Sequence, residues 1–151
     1  MKLCPALKLL FVTGFVALVS PCHAEVKIDR AWVDQTMKLY SRAWVEPAAD
    51  LRTKLLAQAW AKDGRYRDPG VDLKGVDALA QHMGEFITRF PKAQIVATSK
   101  LDTFGAVYRV AWVLHFNDGA TPDLEGFDCG ELDAEGRLVS LLSFFGPLSK
   151  E

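Results

Sequence analysis

Cysteine is scarce in this chain of 151 residues, and an excess of positive charge is missing. It has three cysteines, Cys4, Cys22 and Cys129, and only Cys129 lies beyond the apolar segment at the start of the sequence. A single remaining cysteine cannot form an internal disulfide, so a hydrophobic core must hold the fold. The formal net charge is −1, and no basic patch interleaved with aromatic residues is present. These scarcities exclude a disulfide-rich scaffold and argue against nucleic-acid binding.

Long apolar runs are also missing. The apolar segment at positions 9–20 is shorter than the roughly 20 residues that a membrane-spanning helix needs. Lys2 and Lys8 precede this segment and small residues follow it, which is the arrangement of a cleavable secretory signal. The sequence therefore predicts a signal peptide over 1–24, a mature chain that starts at Glu25, and a periplasmic or secreted protein without a membrane span.

The first half of the expected mature domain, 25–151, is typical of helices. Apolar residues recur every three to four positions over 28–44 and again over 76–90, which predicts an amphipathic helix in each range. Between them, Asp50 is a suitable N-cap for a further helix, which Asp63 and Gly64 are expected to end. The pattern predicts three helices within one domain.

After position 91 the apolar period changes from helical to alternating. Four strands are predicted, over 94–103, 107–117, 124–132 and 137–145. The turns between them are short, so successive strands should pair in the antiparallel sense. Helices followed by a strand meander are typical of the α+β class.

Asp68 is the strongest single candidate for chemistry. It ends a short strand-like stretch, directly before Pro69 and Gly70, which stop the strand. One interpretation is a turn residue, because Asp before Pro-Gly commonly initiates a turn. The other is a general base held at the mouth of a pocket. The sequence around Asp68 leaves both open.

Alternation along the predicted strands suggests where an internal face lies. The strand over 107–117 has one strongly apolar side, with Arg109 and His115 on the opposite side. In the next strand, Asp128 shares a side with Gly126 and Gly130. If this side faces inward, the glycines leave space for a cavity, and a buried Asp128 must be protonated or partnered.

Metal and cofactor sites are not indicated. His82 and His115 lie on different predicted elements and lack a nearby ligand set, so no metal site is expected. The sequence contains neither a glycine-rich phosphate loop nor a serine-nucleophile elbow. Any reaction should therefore proceed without a cofactor.

Four local strings resemble the nuclear-transport-factor-2-like superfamily, in its SnoaL-like branch. They are YSRAW from Tyr40, YRDP from Tyr66, ELDAEGRL from Glu131 and FFGP from Phe144. The resemblance implies a cone in which three N-terminal helices pack on the concave face of a strongly curved, mixed but mainly antiparallel sheet. It also implies an internal pocket and a homodimer formed through the outer sheet face.

The ketosteroid isomerase branch of that superfamily supplies residue roles. By this resemblance, Asp68 corresponds to the catalytic base, Tyr40 to the tyrosine that holds the oxyanion, and Asp128 to a second, protonated aspartate. A protonated carboxyl group donates a hydrogen bond to a developing oxyanion, as a tyrosine hydroxyl does. Five side chains are expected to bind the ligand from the pocket walls: Trp44, Tyr66, Met83, Trp112 and Phe145.

The expected function is that of an exported pocket protein for a small, largely apolar organic ligand. If it is an enzyme, the reaction is an isomerisation or cyclisation by proton transfer next to a carbonyl. Two alternatives stay open: a binding protein without chemistry, and a dimeric interaction domain whose cavity is filled by Trp44, Trp112 and Phe145. Asp68, Tyr40 and Asp128 lining one open cavity would favour the enzyme. The sequence names no substrate.

Overall fold

A computed structural model of the chain describes residues 30–147. The predicted signal peptide over 1–24 and the start at Glu25 lie outside the described residues. The helices are α1 (Arg30–Ala43), α2 (Ala49–Ala59) and α3 (Val76–Arg89). The strands are β1 (Trp60–Arg67), β2 (Asp72–Lys74), β3 (Gln94–Ala97), β4 (Asp102–Phe104), β5 (Val107–His115), β6 (Leu124–Leu132) and β7 (Leu138–Phe145).

The strands form one open sheet in the order β2-β1-β7-β6-β5-β3, with β4 also paired to β5. The pairs are antiparallel, except that β1 runs parallel to β7. The helices cover the concave face, where Val33 and Tyr40 of α1, Leu56 of α2 and Leu79 of α3 are buried in a common core. The predicted fold class, an α+β cone with a mixed, mainly antiparallel sheet, is confirmed.

The boundaries of α2 differ from the prediction. Asp50 is not the N-cap, because α2 begins at Ala49, and Asp50 lies in its first turn. The helix also ends earlier, at Ala59, and Trp60 is the first residue of β1. Trp60 is buried and its ring stacks on that of Tyr40, with 5.8 Å between centroids. This tertiary contact outweighs the helical periodicity that continued through Trp60 in the sequence.

Asp63 and Gly64 therefore lie within β1 and do not terminate a helix. The register between β1 and β7 shifts between Trp60 and Arg65, so this part of β1 is irregular. A side chain on Gly64 would collide with the Trp60 indole and with the Leu138 carbonyl oxygen, 2.8 Å away. Glycine is used here for a close approach between strands.

The predicted strand over 94–103 is broken into two strands, β3 and β4. The backbone N–H groups of Thr98 and Ser99 both donate to the carbonyl oxygen of Ala111, and the Ser99 hydroxyl accepts the N–H of Ala111. Two residues thus oppose one residue of β5, which is the arrangement of a β-bulge. The bulge bends this edge of the sheet around the concave side.

Within residues 30–147, no helix is long and apolar enough to cross a membrane.

Candidate functional site

A cavity of about 720 Å³ lies between the helices and the concave face of the sheet. Its walls are mostly apolar and aromatic, and exposed side chains of α1 such as Asp34, Lys38 and Ser41 stand at its rim. The Tyr40, Asp68 and Asp128 side chains all line it. A volume of this size is typical of pockets for small organic ligands.

Asp68 lies directly after β1, and its two carboxylate oxygens have different partners. Oδ1 accepts the backbone N–H groups of Gly70 at 2.7 Å and Val71 at 2.9 Å, which closes the turn. Oδ2 accepts the Tyr66 hydroxyl at 3.0 Å. One oxygen thus makes Asp68 a turn residue, while the other belongs to a polar contact at the cavity wall. The two interpretations of Asp68 describe different atoms of one carboxylate.

Asp128 is buried on the inward side of β6, which the alternation in the sequence had left open. Its Oδ1 accepts the Trp112 indole N–H at 2.8 Å and the Ser143 hydroxyl at 2.7 Å. Oδ2 accepts no hydrogen bond from any residue between 30 and 147, so it is the oxygen available to a ligand. Burial raises the pKa of Asp128 to about 6, and the bonds from Ser143 and Trp112 oppose that rise. The carboxyl group therefore changes charge near neutral pH.

The glycines beside Asp128 have a different use from the predicted one. Gly126 pairs with Trp112, and Gly130 pairs with Tyr108. Side chains at these glycines would collide with the Trp112 indole and with the Tyr108 ring, whose Cζ atom lies 2.7 Å from the position of a Cβ on Gly130. The glycines therefore make room for aromatic rings and not for the cavity. By lying across Gly126, the indole brings its N–H to Asp128.

Two tyrosines face the same region as Asp128. Tyr40 of α1 is buried, and desolvation together with the charge of Asp128 raises its pKa well above the usual value. Tyr66 of β1 is also buried, and burial and the charges of Asp68 and Asp128 raise its pKa. Both phenols are therefore neutral hydrogen-bond donors over the physiological pH range.

The expected wall residues are in place except for Met83. Trp44, Tyr66, Trp112 and Phe145 line the cavity and leave it open. The prediction that Met83 binds the ligand needs correction, because Met83 is fully buried in the core and does not line the cavity. The face of α3 that packs on the other elements carries Met83, whereas a neighbouring face meets the cavity.

That neighbouring face of α3 presents residues that sequence reasoning missed. His82, Phe86 and Phe90 line the cavity. His82 packs against Trp44 at 5.9 Å and against Tyr66 at 6.0 Å between ring centroids. These three residues recur at a spacing of four, which places them on one helix face. That spacing was the available signal in the sequence. The face that it marks begins at His82, the residue before Met83.

The remaining polar candidates lie elsewhere. Arg109 is exposed and pairs with Asp102 at 2.8 Å. His115 lies 2.7 Å from Asp123, also outside the cavity. Among residues 30–147, no group of three or more His, Cys, Asp or Glu side chains is arranged to hold a metal ion.

Known proteins match this chain in structure and not in sequence. No family model matches the chain. No curated protein matches it either. The fold, in contrast, matches many solved structures.

Three of these structures are informative. A protein from Agrobacterium tumefaciens strain C58, whose name places it in the SnoaL-like family and suggests an isomerase, superposes with a TM-score of 0.70 at 28% identity, over 78% of this chain and 99% of that one. An NTF2-like protein of unknown function from Exiguobacterium sp. 255-15 gives 0.60 at 17% identity, over 76% and 98%. A protein from Jannaschia sp. CCS1, named for a suggested SnoaL-like polyketide cyclase, gives 0.57 at 15% identity, over 78% and 90%. The latter two bear on the fold alone.

Proposed function

Because the chain has the fold of nuclear-transport-factor-2-like and SnoaL-like proteins, we propose that its cavity is an active site for proton transfer next to a carbonyl group. The reaction would be an isomerisation or a cyclisation of a small, largely apolar molecule, without a cofactor. The isomerase name of the structural neighbour from Agrobacterium tumefaciens is consistent with this class of reaction.

One observation carries the proposal: three groups suited to this chemistry line a single cavity. A carboxylate stands at the mouth (Asp68), a neutral phenol is buried in the wall (Tyr40), and a buried carboxyl group has a pKa of about 6 (Asp128). Carboxyl groups in such different surroundings can serve as base and acid in one reaction. The three aromatics expected to fill the cavity in an interaction domain form its walls instead.

The residue roles follow from the free atoms of each group. Asp68 abstracts the proton next to the carbonyl through Oδ2, whose second lone pair is not used by the turn. The enolate oxygen lies against Tyr40 and Asp128, which stabilise its charge with hydrogen bonds. Asp128 can donate only while it is protonated. Since its pKa is about 6, the rate should fall as the pH rises through that value.

Deuterium exchange tests the proposal without knowledge of the natural substrate. A panel of mono- and bicyclic ketones is incubated in D₂O with the protein, and loss of the α-proton signal is followed by NMR. Asp68→Asn should lower the exchange rate about 10²- to 10⁴-fold while leaving fold and ligand affinity largely intact. Asp63→Asn, an exposed aspartate of β1, is the matched control. Equal exchange rates in the wild type and Asp68→Asn would contradict the mechanism.

A binding protein without chemistry is the second candidate, and the largely aromatic walls favour it. Trp44, Phe86 and Phe90 offer flat apolar surface that retains a ligand whether or not it reacts. Native mass spectrometry of the purified protein would detect a retained molecule. A ligand that binds tightly yet shows no exchange with the wild type would favour this candidate over the enzyme.

We also propose that two copies associate through the outer sheet face. Phe144 is 46% exposed there, and it stacks on Phe127 with 4.7 Å between ring centroids. Val96 and Val107 add further exposed apolar surface on this face. Phe144→Glu should convert a dimer to a monomer in light scattering, whereas Leu51→Glu, on the exposed side of α2, should not. A wild-type protein that is monomeric at all concentrations would refute this.

Export is a proposal that rests on the sequence. The protein expressed with its full N-terminus should be recovered from the periplasm or medium with an intact mass that begins at Glu25. Retention in the cytoplasm with residues 1–24 attached would contradict it.

A further inference from the structure

The cavity has a polar end and an apolar end, and each of its two long walls shows the change. On the helical wall, His82 packs against Tyr66 at the polar end, with 6.0 Å between ring centroids. Phe86 comes next along α3, and Phe90 directly follows the helix at the apolar end. A helix rises about 1.5 Å per residue, so His82 and Phe90 are about 12 Å apart along the wall.

The sheet wall changes in the same way over a similar length. Asp128 lies on β6 at the polar end, and Leu124 lines the cavity at the start of that strand. A strand advances about 3.4 Å per residue, which separates these two residues by about 13 Å. Leu124 is paired with Leu114 of β5, and Leu114 is paired with Ile95 of β3. The apolar end of the sheet wall is therefore made by side chains from three adjacent strands.

Corresponding ends of the two walls face each other. At the apolar end, the Phe90 ring lies 4.7 Å from that of Phe116, which directly follows β5. At the polar end, Tyr66 lies on β1, which pairs with β7, and the Ser143 hydroxyl of β7 donates to Asp128 at 2.7 Å. The groups proposed for proton transfer therefore lie at one end of the cavity, and the other end offers only hydrocarbon.

The apolar end is narrow between α3 and β5, and it has no flat slot. The contact between the Phe90 and Phe116 rings joins these two elements, so little width remains there. The Phe86 and Phe90 rings are inclined by 50°, and the Phe90 and Phe116 rings by 63°. A planar fused-ring system packs well only against flat and parallel walls, whereas a thin chain follows inclined rings. The shape of this end favours a single flexible chain.

We propose that the ligand is a carbonyl compound with one unbranched hydrocarbon tail of about ten carbons. Its carbonyl oxygen lies against Tyr40 and Asp128, and its tail runs along α3 to Phe90 and Phe116. An extended chain advances about 1.2 Å per bond, so about ten carbons cover the roughly 12 Å between the two ends. This inference rests on the proposed function, which places the carbonyl group at the polar end.

A series of methyl ketones tests the tail without turnover. Isothermal titration calorimetry gives the dissociation constants of the straight-chain ketones from 2-hexanone to 2-hexadecanone. Each added methylene should tighten binding about fourfold up to 2-dodecanone, whose tail is ten carbons long. Further carbons should add little, because they pass beyond Phe90 and Phe116. Affinity that is independent of tail length, or that keeps rising about fourfold per carbon to 2-hexadecanone, would overturn the inference.

Two neighbouring residues of β3 give a matched pair that tests where the tail ends. Ile95 lines the cavity, whereas Val96 does not line it and is 46% exposed. Ile95→Trp should weaken binding of 2-dodecanone about 15-fold, as expected when about two methylenes lose their place, and should leave 2-hexanone unaffected. Val96→Trp should change neither affinity. Leu124→Phe, which narrows the same end from β6, should also weaken 2-dodecanone selectively. Equal losses for both ketones in the Ile95 and Leu124 variants would contradict this position of the tail.

A rigid ketone tests the shape of the tail. 2-Acetylanthracene carries the methyl ketone on a fused-ring body, and it should bind about tenfold more weakly than 2-dodecanone because it overfills the narrow end. Equal or tighter binding would refute the unbranched tail. The tail and the chemistry fail separately. A graded affinity series in a protein without ketone exchange would refute the proposed function only, and exchange of short ketones without any dependence of affinity on length would refute the tail only.

Discussion

The two carboxylates of the cavity, Asp68 at its mouth and the buried Asp128 on its floor, are held in different ways. At the mouth, the partners of Asp68 lie two or three residues away along the chain: Tyr66, Gly70 and Val71. At the floor, the partners of Asp128 are Trp112 and Ser143, which are 16 and 15 residues away on neighbouring strands. Asp68 is placed by a local turn, whereas Asp128 is placed by the sheet.

The difference has an energetic consequence. A half-exposed carboxylate bonded to backbone N–H groups keeps much of its solvation, because water still reaches the turn. A buried carboxylate loses its solvation, and two neutral donors replace it only in part, which is why burial raises the pKa of Asp128. The ionised form of Asp128 therefore lowers the stability of the fold. Three sets of substitutions test how differently the two carboxylates are held.

The largest effect is expected for Asp128→Asn at high pH. The native pKa of about 6, against the ordinary value of 3.8, means that the native state binds the proton more tightly than the unfolded chain does. The ionised group is then destabilising above pH 6 by up to about 3 kcal/mol. The penalty begins as the pH rises past the unfolded value, grows until about pH 6, and is absent at lower pH. Asparagine lacks this charge.

Urea unfolding at pH 4, 6 and 8 measures this effect. The free energy of unfolding of Asp128→Asn minus that of the wild type should rise from pH 4 to pH 6 and stay level above it. Asp63→Asn, at an exposed position, should give a difference that changes little over the same range. A difference for Asp128→Asn that is independent of pH would mean that Asp128 has an ordinary pKa.

A smaller effect is expected from adding a methyl group at the two regions. Gly130→Ala, two residues from Asp128 on β6, forces the buried Tyr108 ring to move and should lower the free energy of unfolding by about 2 kcal/mol. Gly70→Ala at the mouth meets only Asp68 Oδ1 at 3.5 Å, and Gly70 has no positive φ, so its change should stay within about 0.5 kcal/mol. Chemical denaturation measures both.

A double variant identifies the cause of the Gly130 effect. In a Tyr108→Ala background, Gly130→Ala should lower the free energy of unfolding much less than in the wild type, because the colliding ring is absent. Additive costs would show that the Tyr108 ring is not what limits position 130. Equal costs at Gly70 and Gly130 would remove the contrast between mouth and floor.

The smallest difference is expected between two substitutions of Asp68. Asp68→Ala loses the acceptors of two backbone N–H groups and of Tyr66, so it should destabilise the fold by about 1.5 kcal/mol. Asp68→Asn keeps the oxygen for the backbone and should lose about 0.5–1 kcal/mol. Thermal unfolding compares the two. Identical losses would mean that the turn hydrogen bonds contribute nothing measurable.

The order of elements and most strand limits could be predicted because they depend on local period. The strand over 124–132 was predicted with the bounds that β6 has, and α3 starts at position 76 as expected. The errors share one origin. Trp60 continues the helical pattern in the sequence but lies in β1, where its ring stacks on that of Tyr40. The predicted strand over 94–103 is interrupted where Thr98 and Ser99 oppose Ala111. Both depend on contacts between distant parts of the chain.

The same holds for the candidate site. The alternation in β6 placed Asp128 on one side with Gly126 and Gly130, and the structure shows that this side faces inward and brings Asp128 to one cavity with Tyr40 and Asp68. The sequence could not indicate that Gly126 accommodates the Trp112 indole, that Met83 belongs to the core, or that His82 lines the cavity. Packing decides which side of a ring or helix meets a cavity. On α3, the adjacent residues Met83 and His82 point to different surroundings, and only His82 lines the cavity.

The sequence by itself determined the fold class, the turn at Asp68 and which residues of β6 share a side, because each follows from residues within a few positions of one another. Only the tertiary structure decided which donors reach Asp128 and which side chains share a cavity with it. The physical reason is that burial and hydrogen bonding across strands depend on positions brought together by the whole sheet. The burial and the hydrogen bonds that set the pKa of Asp128 therefore exist only in the folded protein.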